Sequence, residues 1–306
     1  MKRSFVKMHG CGNDYIYFDC MEQPLEHPEA WAVRLSDRHK GIGGDGLVMI
    51  LPAEGADGRM RMFNADGSEG KMCGNAIRCV GKYLYDKGCA KKEQLCIQTL
   101  SGPKTLHMTV EHGQAVAAKV DMGPAEFSAK RIPVALPMDR VIDQAVTIGG
   151  KQTRITCVSM GNPHCVVFVE DVETLPITKI GPKFEQSPLF PERVNTEFIQ
   201  VLGPRELKMR VWERGSGETM ACGTGACAAV AAAVKTGRSP QGETVTVHLK
   251  GGELSVVYTE RTVTMEGGAE LAFTGAKWRW KGLVNSNENQ RALSKLGGKL
   301  SVFHHC

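Results

Sequence analysis

What most constrains this chain is that it repeats itself. Gly12-Asn13 recurs as Gly161-Asn162, 149 residues later. At the same spacing Arg59-Met60-Arg61-Met62-Phe63-Asn64 lines up with Lys208-Met209-Arg210-Val211-Trp212-Glu213, and Cys73-Gly74 with Cys222-Gly223. Gly88 falls on Gly237 and Gly102 on Gly251. Farther on the register slips to 144, where Gly123-Pro124-Ala125-Glu126 meets Gly267-Gly268-Ala269-Glu270. Matches held in one register from residue 12 to 102 mark two copies of one folding unit. Two copies related by a pseudo-two-fold axis enclose a cleft, and equivalent residues face each other across it.

The local patterns of the copies agree. Arg59–Phe63, Thr105–Glu111, Lys208–Trp212 and Thr244–Lys250 alternate or are rich in β-formers, and Gly or Asp-Gly turns bound them. Each copy also carries one clear helix. The first runs from Gly74 through Ala76, Ile77, Val80 and Leu84 to a stop at Gly88; the second runs from Gly223 through Ala226–Val234 to a stop at Gly237. The second is almost all Ala and Val on every side, which predicts burial all round. The expected fold is α+β: two pseudo-symmetric halves, each a mostly antiparallel, barrel-like β shell around a central helix, with the active site in the cleft. Residues 1–121 with 268–306 are expected to form the half that holds the first helix-start cysteine, and 122–267 the half that holds the second.

Composition narrows the function. With 42% hydrophobic and 23% charged residues over 306 positions, the chain can bury two ordinary cores, which excludes a disordered or disulfide-stapled protein. No apolar run reaches eighteen residues, and the N-terminus lacks a signal-peptide core. A net charge of +5 spread among mixed signs argues against a nucleic-acid surface and suits a small anionic substrate. Eleven cysteines, an odd number, without an export signal are expected as cytoplasmic thiols. No zinc-type spacing occurs, so no metal is expected.

Cys73 and Cys222 stand at equivalent places, just before the two helices. A helix start presents unpaired N–H groups and about half a positive charge, which lowers a thiol's pKa and attracts an anion. Gly74-Asn75 and Gly223-Thr224 give open backbone there. A carboxylate held between two such ends puts its neighbouring carbon between two sulfurs. That geometry removes a proton from one face and returns one to the other, as a racemase or epimerase without an electron-sink cofactor requires. The plainer alternatives are buried helix-start cysteines inherited by duplication, or a redox disulfide, which needs Cα atoms within about 7 Å. Cys79 and Cys227, deeper in the same helices, read as packing.

At these residues the sequence resembles the diaminopimelate epimerases. The resemblance rests on His9-Gly10-Cys11-Gly12-Asn13-Asp14-Tyr15, Phe63-Asn64-Ala65-Asp66-Gly67-Ser68, Met72-Cys73-Gly74-Asn75-Ala76, Gly161-Asn162-Pro163-His164, Glu213-Arg214-Gly215 and Ala221-Cys222-Gly223-Thr224-Gly225. It covers roughly residues 1 to 277. It implies interconversion of L,L- and meso-diaminopimelate by a thiolate/thiol pair, with no cofactor and no metal. Cys73 and Cys222 would be the acid/base groups, with His164 and Glu213 assisting. Asn13, Asn64, Asn162, Asn195, Glu213 and Arg214 would hold the substrate, and the helix starts Gly74-Asn75 and Gly223-Thr224 would bind the carboxylate at the reacting carbon. No nucleic acid or membrane partner is implied; a homodimer is an assembly that the sequence leaves open.

The two copies agree on thiols and differ in recognition. Asn64 becomes Glu213, Ala65 becomes Arg214 and Tyr15 becomes His164. Glu213 suits an ammonium and Arg214 a distal carboxylate, which disfavours the rival reading, a proline or hydroxyproline racemase. The chain departs from the family at Gly46, where many members carry Gln, so that side-chain contact is expected to be lacking. It also departs in the polar tail from Trp278 to Cys306, which exceeds the family's usual end.

Overall fold

The computed structural model describes residues 2–279. Met1 and residues 280–306, which carry most of the tail and His304-His305, lie outside the described residues.

The repeat seen in sequence is a repeat of topology. In the first copy Asn13–Asp19 runs parallel to Gly46–Leu51, which pairs antiparallel with Gly58–Asn64, itself parallel to Gln94–Thr99. Gly102–Glu111 and Gln114–Gly123 then add on antiparallel. The second copy repeats this order of parallel and antiparallel pairs through Pro163–Val169, Asn195–Gly203, Glu206–Glu213, Thr244–Leu249, Gly252–Tyr258 and Val263–Gly268. Even the register is kept: Tyr15 faces Gly46 in one copy and His164 faces Asn195 in the other. The shells are therefore mainly antiparallel, with two parallel pairings in each.

Four helices lie among the described residues: α1 (Pro28–Ser36), α2 (Gly74–Asp86), α3 (Ile177–Glu185) and α4 (Gly223–Lys235). The helices α2 and α4 are the central ones expected, and they end two residues before the glycines Gly88 and Gly237, both in the left-handed region. The residues of α4 from Gly225 to Ala233 are all buried; their small side chains let strands close around the helix on every side. The helix α2 fills the same role with Ile77, Val80 and Leu84, none of them exposed. Truncating Ile77 or Leu84 to Ala would cost about 2–5 kcal/mol.

The short outer helices α1 and α3 depart from the expectation of one helix per copy. They too stand 149 residues apart and are nine residues long, yet share almost no residue identities, so sequence comparison passes over them. The helix α1 seals Trp31, Ala32 and Leu35 against the outer faces of Ile16, Phe18 and Leu47. The helix α3 does the same with Ile177 and Phe184 against Val167 and Phe198. Each half thus has an inner core around its central helix and an outer core under its short helix.

The halves are joined by the antiparallel pair Gln114–Gly123 with Val263–Gly268. The last described strand, Glu270–Arg279, returns to pair with Lys2–Gly10; Gln144–Ile148 does the equivalent for Lys151–Ser159.

Candidate active site

Each thiol is the residue that caps a central helix. Cys73 and Cys222 are extended (φ −135° and −123°) immediately before α2 and α4. The main-chain N–H of Gly225 donates to the Cys222 sulfur at 3.4 Å. Burial pushes the Cys222 thiol well above its ordinary value. The Glu213 and Glu197 carboxylates add to that, while the Thr224 hydroxyl and the Gly225 N–H oppose it. Burial also raises Cys73, and the N–H groups of Ala76 and Asn75 pull it back; Glu213 pushes it up and the Arg78 guanidinium holds it down. Glu213 therefore acts on both thiols. Its own carboxyl is raised by burial, against a hydrogen bond from Thr219 and the presence of His164.

The two helix starts converge. A Cβ on Gly74 would lie 2.7 Å from the Met265 methyl, and one on Gly223 would lie 3.1 Å from the same residue's sulfur. Glycine is needed at both because two helix ends press on one methionine, in addition to leaving the backbone open. Asn75, buried at 1% exposure, donates to the Ala221 carbonyl at 3.4 Å and to Asn13 Oδ1 at 3.3 Å.

Asn13 and Asn162 follow Gly12 and Gly161, whose φ values of 75° and 93° suit glycine in the turn. Asn13 donates to Asp45 Oδ2 at 2.7 Å, which turns its Oδ1 towards the Cys73 sulfur, 3.5 Å away. Asn162 Oδ1 faces His164 Nε2 at 3.0 Å, and its Nδ2 donates to the Thr224 hydroxyl at 3.4 Å. His164 has no exposure, and its Nδ1 lies 2.7 Å from Glu197.

The remaining expected residues take different places. Asn195 is buried, donates to the Pro163 carbonyl and accepts from the Arg214 N–H, so it fixes the chain at the end of Glu206–Glu213. Asn64 and Arg214 are exposed at the ends of equivalent strands; Asn64 donates to Ser68, and the Arg214 guanidinium to the Glu192 carbonyl. At Gly46 the absent side chain has a physical reason. A Cβ there would fall 2.1 Å from the Phe63 carbonyl and 2.8 Å from the Tyr15 ring, so Tyr15 occupies that space.

Three residues near the thiols were not foreseen: Asp45, Arg78 and Glu197. Arg78 is fully buried and donates to Asn75, to the Gly74 and Gly268 carbonyls and towards the Cys11 sulfur. The repeat held the signal for the last two, since Arg78 stands opposite Cys227 and Glu197 opposite Val48.

Comparison with solved structures finds the same two-half architecture in other proteins. A hydroxyproline epimerase from Agrobacterium vitis superposes with a TM-score of 0.66 at 14% identity, over 92% of this chain and 94% of that one. A phenazine biosynthesis protein of the PhzF family from Bacillus anthracis superposes with a TM-score of 0.68 at 17% identity, over 92% of this chain and all of the other. At the level of sequence, the diaminopimelate epimerase family model matches residues 5–128 and 156–272. The diaminopimelate epimerase of Acetivibrio thermocellus is 52% identical over 273 residues, which is 89% of this chain and 97% of the relative. That of Methanococcus maripaludis (strain C5) is 51% identical over 273 residues, 89% of this chain and 98% of the relative. The chain belongs to the diaminopimelate epimerase family and is an isomerase.

Proposed function

We propose that this chain interconverts L,L- and meso-diaminopimelate, with Cys73 and Cys222 as the two acid/base groups. The observation that carries the reading is the pair of thiols capping two matched helices whose starts meet at Met265 and through Asn75. One thiolate removes the α-proton from one face while the other thiol protonates the opposite face, and the roles exchange with direction. The N–H groups of both helix starts receive the substrate carboxylate and stabilise the charge that develops beside it. Glu213 and the side chains of Asn13 and Asn162 face the amino end. Asn64 and Arg214, exposed at the rim, take the distal amino-acid end; Asn195 serves by holding Arg214. The pairing of Glu270–Arg279 with Lys2–Gly10 supports dividing the halves at 1–121 with 268–306 and 122–267. Ten free cysteines among the described residues suit a reducing cytoplasm. The exposed Leu271 and Phe273 offer a second copy an apolar strand for a homodimer.

The test is incubation with L,L-diaminopimelate in D₂O, with α-deuterium followed by mass spectrometry and stereochemistry by chiral separation. Deuterated meso product from the parent, absent with Cys73→Ala and Cys222→Ala, is expected. Failure of reduced, folded parent to exchange or epimerise would overturn the substrate assignment, and L-proline and hydroxyproline would be tried next.

A further inference from the structure

Packing does not explain the buried carboxylate of Glu197. It lies within the strand Asn195–Gly203, has no exposure, and among the described residues its ion-pair partner is His164 rather than a Lys or Arg. One oxygen meets His164 Nδ1 at 2.7 Å; the other, Oε2, is buried with no hydrogen-bond partner among the described residues. A carboxylate so placed is strongly disfavoured unless it is compensated. The sister half shows that the fold does not need it. Val48 holds the equivalent place, opposite Tyr17 as Glu197 is opposite Val166, and is equally buried. Room for the carboxylate is made at the start of α4, where a Cβ on Gly225 would come within 2.7 Å of Glu197 Oε1.

From Glu197 a continuous chain of contacts leads to the second thiol. His164 Nδ1 meets the carboxylate at 2.7 Å, and Nε2 meets Asn162 Oδ1 at 3.0 Å. Asn162 Nδ2 donates to Thr224 Oγ1 at 3.4 Å, and that oxygen lies 3.5 Å from the Cys222 sulfur. Both ring nitrogens of His164 face acceptor oxygens, an arrangement that a ring bearing both protons satisfies. With Nε2–H donating to Asn162 Oδ1, the Asn162 amide must turn its N–H groups to Thr224. The threonine oxygen, already accepting, then directs its own O–H at Cys222. In the first half Asp45 turns Asn13 the opposite way, so an acceptor oxygen faces Cys73.

We propose that Glu197 is a positioning residue that sets the polarity of this chain, so that Cys222 is met by donors when it carries charge. It rests on the two-thiol reading above and adds a residue that touches neither substrate nor sulfur. Glu197→Gln removes the charge and keeps the shape, and Glu197→Val installs the residue the sister half already buries. In either variant His164 loses the carboxylate that fixes its Nδ1 side, so the direction in which Asn162 and Thr224 face Cys222 is expected no longer to be set.

The test has two arms. Ring ¹⁵N NMR of the substrate-free protein, with the His164 signals identified by their loss in His164→Asn, reads the ring's protons directly. A ring signature in Glu197→Gln that differs from the parent's is expected. Steady-state kinetics across pH 6–9 are expected to show kcat at least about tenfold lower in both variants, the scale of a lost proton-transfer aid. KM should change less, and the melting temperatures should stay near the parent's. An unchanged ring signature in Glu197→Gln, or kcat within twofold of the parent in a folded variant, overturns the proposal. If the parent fails to epimerise diaminopimelate, the functional reading falls and the NMR arm still decides the role of Glu197.

Discussion

The side-chain amide of Asn75 donates to the main-chain carbonyl of Ala221 at 3.4 Å, which ties the start of α2 to the residue preceding the second thiol. The same amide reaches Asn13, and its oxygen is held by Arg78 at 3.0 Å. One buried side chain therefore sets the relation between two helix ends in different halves. Asn75→Ala leaves the Arg78 guanidinium and the Ala221 carbonyl each short of a partner, so a loss of about 1–3 kcal/mol is expected for each group stranded without water. Urea unfolding measures that loss. Turnover should fall by more than stability alone explains, because the sulfurs are no longer held in register; kcat compared at equal folded fraction checks this.

Thiol reactivity should depend on Glu213 with a definite sign. Burial raises both thiols, and the Glu213 carboxylate raises each further. Neutralising it in Glu213→Gln should let both thiolates form at lower pH. Iodoacetamide labelling of the substrate-free protein across pH 7–10, resolved by peptide mass spectrometry, is expected to show both midpoints moving down. An upward move in either would contradict the arrangement. The same burial gives a stability trend: thiols raised on folding favour the folded state at low pH and lose that contribution as pH rises through their folded values. The melting temperature should accordingly decline on the alkaline side.

What the sequence disclosed and what it hid follow one rule. Cys73, Cys222, both central helices and the two-half plan were legible because duplication left identical residues in one register. The helices α1 and α3 were not, because only their apolar spacing survived: Trp31 and Leu35 in one, Ile180 and Phe184 in the other. Glu197 stands between Asn195-Thr196 and Phe198-Ile199, where a lone Glu in a strand reads as a solvent-facing residue. Nothing local tells that its partner is a histidine on the neighbouring strand. Asn195, expected at the substrate, also makes two main-chain hydrogen bonds, which no motif announces. The junction of the halves through Gln114–Gly123 and Val263–Gly268 is a long-range pairing with no nearby signal.

Arg78 should distinguish the thiols. It is a buried cation in the first half, where the second half has Cys227, and it holds down Cys73, whereas Cys222 is acted on mainly by burial, Glu213, Glu197, Thr224 and Gly225. Arg78→Met keeps the length and removes the charge. The labelling midpoint of Cys73 is expected to rise while that of Cys222 stays put, and an equal shift at both sites would show a general loosening instead. The variant should also be less stable, since the carbonyls of Gly74 and Gly268 lose their donor.

Adding a side chain at Gly46 should harm this chain. In this backbone a Cβ meets the Phe63 carbonyl at 2.1 Å, and a carbonyl in a sheet cannot move aside as the tip of a side chain can. The Tyr15 ring closes the other direction at 2.8 Å, in the register where His164 faces Asn195 in the second half. Overpacking of this kind costs about 1–3 kcal/mol, so Gly46→Gln is expected to lower the urea midpoint by that equivalent and to reduce turnover. Pairing it with Tyr15→Phe does not help, because the ring edge rather than the hydroxyl is in the way, whereas Tyr15→Ala should recover part of the loss. A double variant no more stable than the sum of its single changes would show that the Phe63 carbonyl alone sets the limit.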